Sequence, residues 1–150
     1  MIWRLTSPDP ARLERLSLVH HAAFAPVSRG WSGDEIAALA RTGLLMVDDH
    51  VRGFALFSLA ADEAELLTIA VHPDHQRQGL ARSLLTEGER VLKADRVRQA
   101  HLEVASDNSG AIALYEALGY RVSGRRKQYY RRASGERVDA VMMAKNLEGG

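Results

Sequence analysis

An apolar run that stops at a proline and resumes as a helix fixes the middle of this chain. Leu66, Leu67, Ile69 and Val71 make a stretch that fits a buried strand. His72-Pro73-Asp74-His75 ends it, because Pro73 has no N–H and disfavours helix at the residue before it. The basic turn Gln76-Arg77-Gln78-Gly79 then opens into a helix with apolar residues at Leu80, Leu84 and Leu85. A strand that feeds a helix in this way leaves backbone N–H groups unpaired where the macrodipole is positive, an arrangement that binds phosphate. Gly79 and Ala81 let a diphosphate lie close to the backbone, while Arg77 and Arg82 add positive charge. An ordinary strand–turn–helix with a chance basic turn fits the spacing about as well.

The run Gln76-Arg77-Gln78-Gly79-Leu80-Ala81 resembles the Q/R-x-x-G-x-G/A signature of the GNAT acyl-CoA N-acyltransferases. Its place between an apolar strand and an amphipathic helix strengthens the match. The resemblance implies acetyl-CoA as acyl donor and no metal. It puts the strand Ile69-Ala70-Val71 beside the pantetheine arm, and Arg77, Gln78, Gly79, Leu80, Ala81, Arg82 and Ser83 among the cofactor contacts.

The other segments supply a frame for that unit. Ile2 to Leu5 reads as a first strand, and Asp9 and Pro10 open a helix over 10–24 carried by Leu13, Leu16, Val19 and Phe24. Ser32-Gly33-Asp34-Glu35 has the layout of a capping box, before a helix ended by Gly43. Leu44–Val47 and Val51–Leu59 form a hairpin around Asp48-Asp49-His50, followed by the strand at 64–71 and a helix over 79–94. Gly88 shares a face with Leu84 and Leu92, which points to close approach to the sheet. Arg98–Val104 is a strand and Asn108–Leu118 a helix stopped by Gly119. Tyr120–Val122 and Val138–Ala144 complete the sheet, with Arg125–Arg137 a polar connection. The expected fold is α/β: one GNAT domain over residues 1–150, its mixed, mostly antiparallel central sheet carrying helices on both faces.

Composition sets limits on function. A chain of 150 residues with 46% hydrophobic and 26% charged residues has the balance of a soluble domain with a real core. A net charge of +1 gives no general reason for nucleic acid or an anionic membrane as partner. The lack of cysteine excludes disulfides and thiolate catalysis and fits a cytoplasmic address. No apolar run approaches the ~20 residues that cross a bilayer, and Met1-Ile2-Trp3-Arg4-Leu5 lacks the layout of a signal peptide. The histidines show no zinc spacing, and His72 and His75 read as surface or capping residues. A monomer or weak homodimer is expected.

Two residues stand out chemically. In Ala100-His101-Leu102-Glu103-Val104, Leu102 and Val104 share one face and His101 and Glu103 the other. Glu103 is either paired with one of the arginines or is a general base near an amine. Tyr115 lies seven residues after Asn108 on one helix, beside Ile112 and Leu118, and on its own reads more readily as a core tyrosine. Leu102-Glu103-Val104, Asn108 and Ala113-Leu114-Tyr115-Glu116-Ala117-Leu118-Gly119-Tyr120 together, however, resemble the catalytic half of the ribosomal-protein N-terminal alanine acetyltransferases (RimI type). That resemblance makes Glu103 the proton acceptor, Asn108 a cofactor contact and Tyr115 the donor to the departing thiolate. Tyr129-Tyr130 and Val138–Met143 resemble its C-terminal segment, which puts Tyr129 and Tyr130 at the peptide groove. Trp31 belongs to the other acceptor loop. There the compact P-W-S of the family is stretched, with Val27-Ser28-Arg29-Gly30 between Pro26 and Trp31-Ser32, and the Gly135–Asp139 loop is also longer. Both departures bear on the acceptor, not on the acyl donor.

The chemistry agrees with an N-terminal amine. Deprotonating an α-amino group of pKa ~7.8 at pH 7 costs about 1 kcal/mol, against ~4.6 kcal/mol for a lysine. A backbone N–H of the Ile69–Val71 strand can serve the developing oxyanion, and direct transfer in a ternary complex needs no other nucleophile. The expected partners are acetyl-CoA and a peptide or protein N-terminus, with a ribosomal protein as one acceptor. A small-molecule amine or a lysine is the alternative acceptor, and a non-catalytic acyl-CoA-binding module the remaining one. The arginines around Tyr129-Tyr130 raise RNA contact, which a net charge of +1 argues against.

Overall fold

The computed structural model describes residues 1–25, 29–132 and 134–148, so Pro26, Val27 and Ser28 of the stretched loop lie outside the described residues. The order is β1 (Ile2–Arg4), α1 (Pro10–Phe24), α2 (Gly33–Ala40), β2 (Leu44–Asp48), β3 (Gly53–Ala60), β4 (Glu63–Val71), α3 (Leu80–Ala94), β5 (Gln99–Ala105), α4 (Ser109–Ala117), β6 (Arg121–Arg131) and β7 (Arg137–Asn146). The seven strands form one sheet in the order β1-β2-β3-β4-β5-β7-β6, antiparallel throughout except for the parallel pair β4–β5.

Local chemistry sets the helix starts. The Asp9 carboxylate accepts from the Arg12 N–H at 2.8 Å, with Pro10 in the first turn where no N–H is needed. Ser32 and Glu35 exchange both bonds of the capping box. On one sheet face, Leu16 and Val19 of α1 and Ile36 of α2 bury against Leu45, Val47, Phe54 and Leu56. On the other, Leu84, Leu85 and Leu92 of α3 and Tyr115 of α4 bury against Leu44, Met46, Phe57 and Leu102. Gly88 makes the expected close approach: a Cβ there would lie 2.8 Å from the Phe57 ring.

The sheet opens in its middle. β4 and β5 pair only from Glu63–Leu66 against Gln99–Leu102. Beyond that point β4 continues beside β3, and β5 continues beside β7. The register between β3 and β4 slips at the same place. Leu56 faces Thr68 and Phe57 faces Leu66, so Leu67 is an extra residue, a β-bulge. The bulge reverses which side chains face which layer: Ala64 and Leu66 join the α3–α4 core, whereas Ala70 joins the α1–α2 core. From Thr68 to Val71 the β5-facing edge of β4 has no strand partner among the described residues.

The fold differs from the sequence reading at three places. Arg125–Arg131 is not a connection but the continuation of β6, paired with β7 as an exposed edge strand. Its charges carry no period-2 signal because neither face is buried, and cationic side chains are what protect such an edge. Gly43 does not cap α2 in a left-handed conformation. The helix ends at Ala40 with Arg41 as its C-cap, and glycine is needed at 43 because a Cβ would lie 2.3 Å from the Phe57 carbonyl. β3 begins at Gly53, not Val51. The buried Asp48 carboxylate accepts from the N–H groups of Arg52 (2.7 Å) and Gly53 (3.1 Å), with Val51 left-handed at φ 48°.

Candidate active site

The basic turn takes the shape its glycine allows. Pro73–His75 form a single 3₁₀ turn, on which the His72 Nδ1 accepts from the Asp74 N–H at 3.2 Å, the capping part expected of it. Gln76 reaches back, its amide donating to the Val71 carbonyl at 3.0 Å, so the turn is braced against the end of β4. Arg77 and Gly79 are left-handed, at φ 62° and 81°. A Cβ at Gly79 would meet no atom within 4 Å, so the space over the turn is open. Asp9, Ser32 and Asn108 cap α1, α2 and α4 with their side chains, but no side chain caps α3. The first helical bond of α3 runs from the Ser83 N–H to the Gly79 carbonyl. The N–H groups of Gly79, Leu80, Ala81 and Arg82 precede that bond and are the orphan donors of the first turn. That fits a diphosphate. Gln78, Gly79, Leu80 and Ser83 also line a hollow of about 320 Å³ that extends toward Met1 and Arg52.

Glu103 lies one residue beyond the last β4–β5 pair, on the sheet face opposite Leu102. It lines a second hollow, of about 160 Å³, with His101, Ser123, Arg126 and Met142. Its carboxylate is half-buried and pairs with the Arg126 guanidinium at 3.2 Å. Both readings of Glu103 therefore meet in one place: it has an arginine partner and sits in a cleft. Tyr115 is buried on the α4 side, its ring edge-on to Tyr120 at 6.0 Å. Burial, helped by the neighbouring Tyr130, pushes its phenol up to about 12.

Tyr130, on β6, is half-buried. Burial and then the charge of Glu103 raise its own pKa, while it contributes to the rise at Tyr115. Glu103 and Tyr115 themselves lie on opposite faces of the sheet. Tyr129 packs edge-on to Tyr130 at 5.3 Å, and the Arg126 guanidinium lies 5.0 Å from the Tyr129 ring. Asn108 caps α4, its exposed side chain accepting through the oxygen from the Ala111 N–H at 3.2 Å.

Trp31 stacks on His20 of α1, ring centroids 4.6 Å apart. The sequence reading gave His20 no role beyond the absence of zinc spacing. In the structure its Nδ1 accepts from the Trp31 N–H and its Nε2 lies 3.0 Å from the Thr68 hydroxyl. The sequence reading gave no site role to Arg126 or His20 and named Gln76 without a contact of its own. Gln76 alone left a signal, as the first position of the signature.

The fold and the site together define an acyltransferase class, and the comparisons agree. Residues 10–120 match the Acetyltransferase (GNAT) family, to which this chain belongs. It is 44% identical over 100 residues, 67% of each chain, to the ribosomal protein bS18-alanine N-acetyltransferase of Salmonella typhimurium. It is 38% identical over 144 residues, 96% of this chain and 98% of the other, to the Haemophilus ducreyi protein of that name. The Escherichia coli structure of that enzyme superposes with a TM-score of 0.84 at 32% identity, covering 100% of this chain and 96% of its own.

Proposed function

We propose that this chain works in the cytoplasm as a single acetyltransferase domain, transferring an acetyl group from acetyl-CoA to the N-terminal α-amine of a protein in one ternary complex. The observation that supports this above others is the first turn of α3, its N–H groups uncapped beneath open space, next to the edge that β4 leaves free beyond Leu66. The alanine acetyltransferase names of the relatives support a ribosomal protein beginning with alanine as the first acceptor to test.

Acetyl-CoA, when bound, supplies the activated acetyl thioester. The N–H groups of Gly79, Leu80, Ala81 and Arg82 hold its diphosphate, with Gln78 and Ser83 beside them and charge from Arg77 and Arg82. The open edge of Ile69, Ala70 and Val71 takes the pantetheine arm, and Asn108 donates from its side-chain amide. Glu103 accepts the proton of the attacking amine, a small demand when the α-amine lies near ~7.8. With its phenol at about 12, Tyr115 stays a donor through the physiological range. A thiolate near ~8.5 does not take a proton outright from such a phenol, so Tyr115 stabilises the departing sulfur by a hydrogen bond. Trp31, Tyr129 and Tyr130 border the acceptor. A cationic small amine would meet Arg126 already seated on Glu103, which favours a peptide whose backbone and side chains add contacts.

Glu103→Gln and Tyr115→Phe are each expected to lower kcat by about 100-fold or more, while acetyl-CoA affinity stays within about twofold. Wild-type turnover from both variants would overturn the assignment.

A further inference from the structure

His20 is almost fully enclosed, 3% exposed, and takes no part in the chemistry proposed above. Its surroundings are nonetheless specific. The Trp31 N–H can only donate, so Nδ1 accepts from it at 3.0 Å and the ring proton belongs on Nε2, facing the Thr68 hydroxyl at 3.0 Å. The partners thereby select one neutral tautomer. Burial, with the adjacent His21 charge, lowers the pKa to about 4, which keeps the ring neutral where the enzyme works. The ring also stacks on the Trp31 indole, 16° from parallel.

Both ends of this bridge matter. Thr68 is the first residue past the Leu67 bulge and leads into Ile69–Val71. Trp31 is held on α1 a second time, its carbonyl accepting from the Ser17 hydroxyl at 2.7 Å. Gly30, just before it, lies so close to α1 that a Cβ would fall 2.5 Å from the His21 ring. The backbone on either side of the Trp31 α-carbon is therefore pinned to one helix, and His20 connects that pin to the donor strand through Thr68.

We infer that His20 is a positioning residue: it fixes Trp31 against the acyl-donor strand and thereby sets affinity for the acceptor, without touching acetyl-CoA. This rests on the acceptor role proposed for Trp31. Asparagine at this position presents an oxygen where Nδ1 stands, and glutamine presents an amide where Nε2 stands. His20→Gln keeps a donor for Thr68 and loses the acceptor for Trp31; His20→Asn does the reverse.

The test measures binding of a short alanine-starting peptide in the presence of CoA, binding of CoA alone, and hydrogen exchange at the Trp31 amide. His20→Gln is expected to weaken peptide binding about tenfold, leave CoA binding within about twofold, and speed exchange at the Trp31 amide. His20→Asn is expected to return the peptide affinity and the protection together. Unchanged peptide binding in His20→Gln despite a deprotected Trp31 amide would overturn the inference, as would equal peptide losses in the two variants. Binding needs no turnover, so a wild-type protein that binds the peptide and never acetylates it fails the reading under Proposed function and leaves this one standing.

Discussion

Replacing Lys145 with methionine is expected to destabilise the protein by about 3 kcal/mol at pH 7. Glu89 lies on the inner side of α3 and is 6% exposed. One oxygen accepts from the Lys145 ammonium at 2.5 Å, the other from the Tyr120 hydroxyl at 3.2 Å. Removing the ammonium leaves a buried carboxylate with a single phenol donor. Breaking a buried pair from one side costs ~3–5 kcal/mol. Lys145 keeps 22% of its side chain exposed, which places the loss at the lower end. Removing both charges, Glu89→Met with Lys145→Met, should do less harm than Lys145→Met alone. What then remains is the unpaired Tyr120 hydroxyl, worth ~1–3 kcal/mol and removed in turn by Tyr120→Phe. Urea unfolding followed by tryptophan fluorescence measures all three, provided the denaturant slope stays constant. A loss below about 1 kcal/mol for Lys145→Met, or a double variant worse than the single, would refute the reasoning.

His20 makes stability fall with acid. Its folded pKa of about 4 lies below the ordinary 6.5, so below pH 6.5 the unfolded chain takes up a proton that the native state refuses. That contribution is intact above pH 6.5, falls by about 2 kcal/mol by pH 5 and by roughly 3 kcal/mol by pH 4. His20→Gln should remove that part of the slope in urea titrations, and an unchanged slope would contradict it. Gly79→Ala forces a side chain into φ 81°, costing about 1 kcal/mol of stability. Its Cβ would stand in the open space over the amides, so calorimetry should find acetyl-CoA binding weakened by about tenfold or more; equal affinity would exclude the turn as the diphosphate site. Gly88→Ala gains up to ~1 kcal/mol of helix propensity. It also sets a Cβ 2.8 Å from the fully buried Phe57 ring. Crowding costs ~1–3 kcal/mol, so a net loss near 1 kcal/mol is expected in thermal or urea melts.

What the sequence revealed follows from where each signal is stored. The caps at Asp9 and Ser32, the stop at Gly119 and the close approach at Gly88 are local patterns, and the structure bears them out. The β4–α3 turn was legible because a strand end, a proline and a glycine act within a few residues. β6 was misread beyond Val122, since an exposed edge strand of arginines has the composition of a loop. Gly43 was read as a helix stop when its reason lies fourteen residues away at the Phe57 carbonyl. The Leu67 bulge and the bridge at His20 depend on residues distant in sequence, and no spacing announces them. Glu103 and Tyr115 are candidates by resemblance; by their surroundings one is an ion-pair member and the other a core residue.

A structure of the protein with CoA bound tests the central claim most directly. The diphosphate is expected on the N–H groups of Gly79 to Arg82, the pantetheine along Ile69 to Val71, and the sulfur between Glu103 and Tyr115. A diphosphate elsewhere, or a pantetheine arm running through the hollow toward Met1 and Arg52 with its sulfur far from both residues, would contradict it.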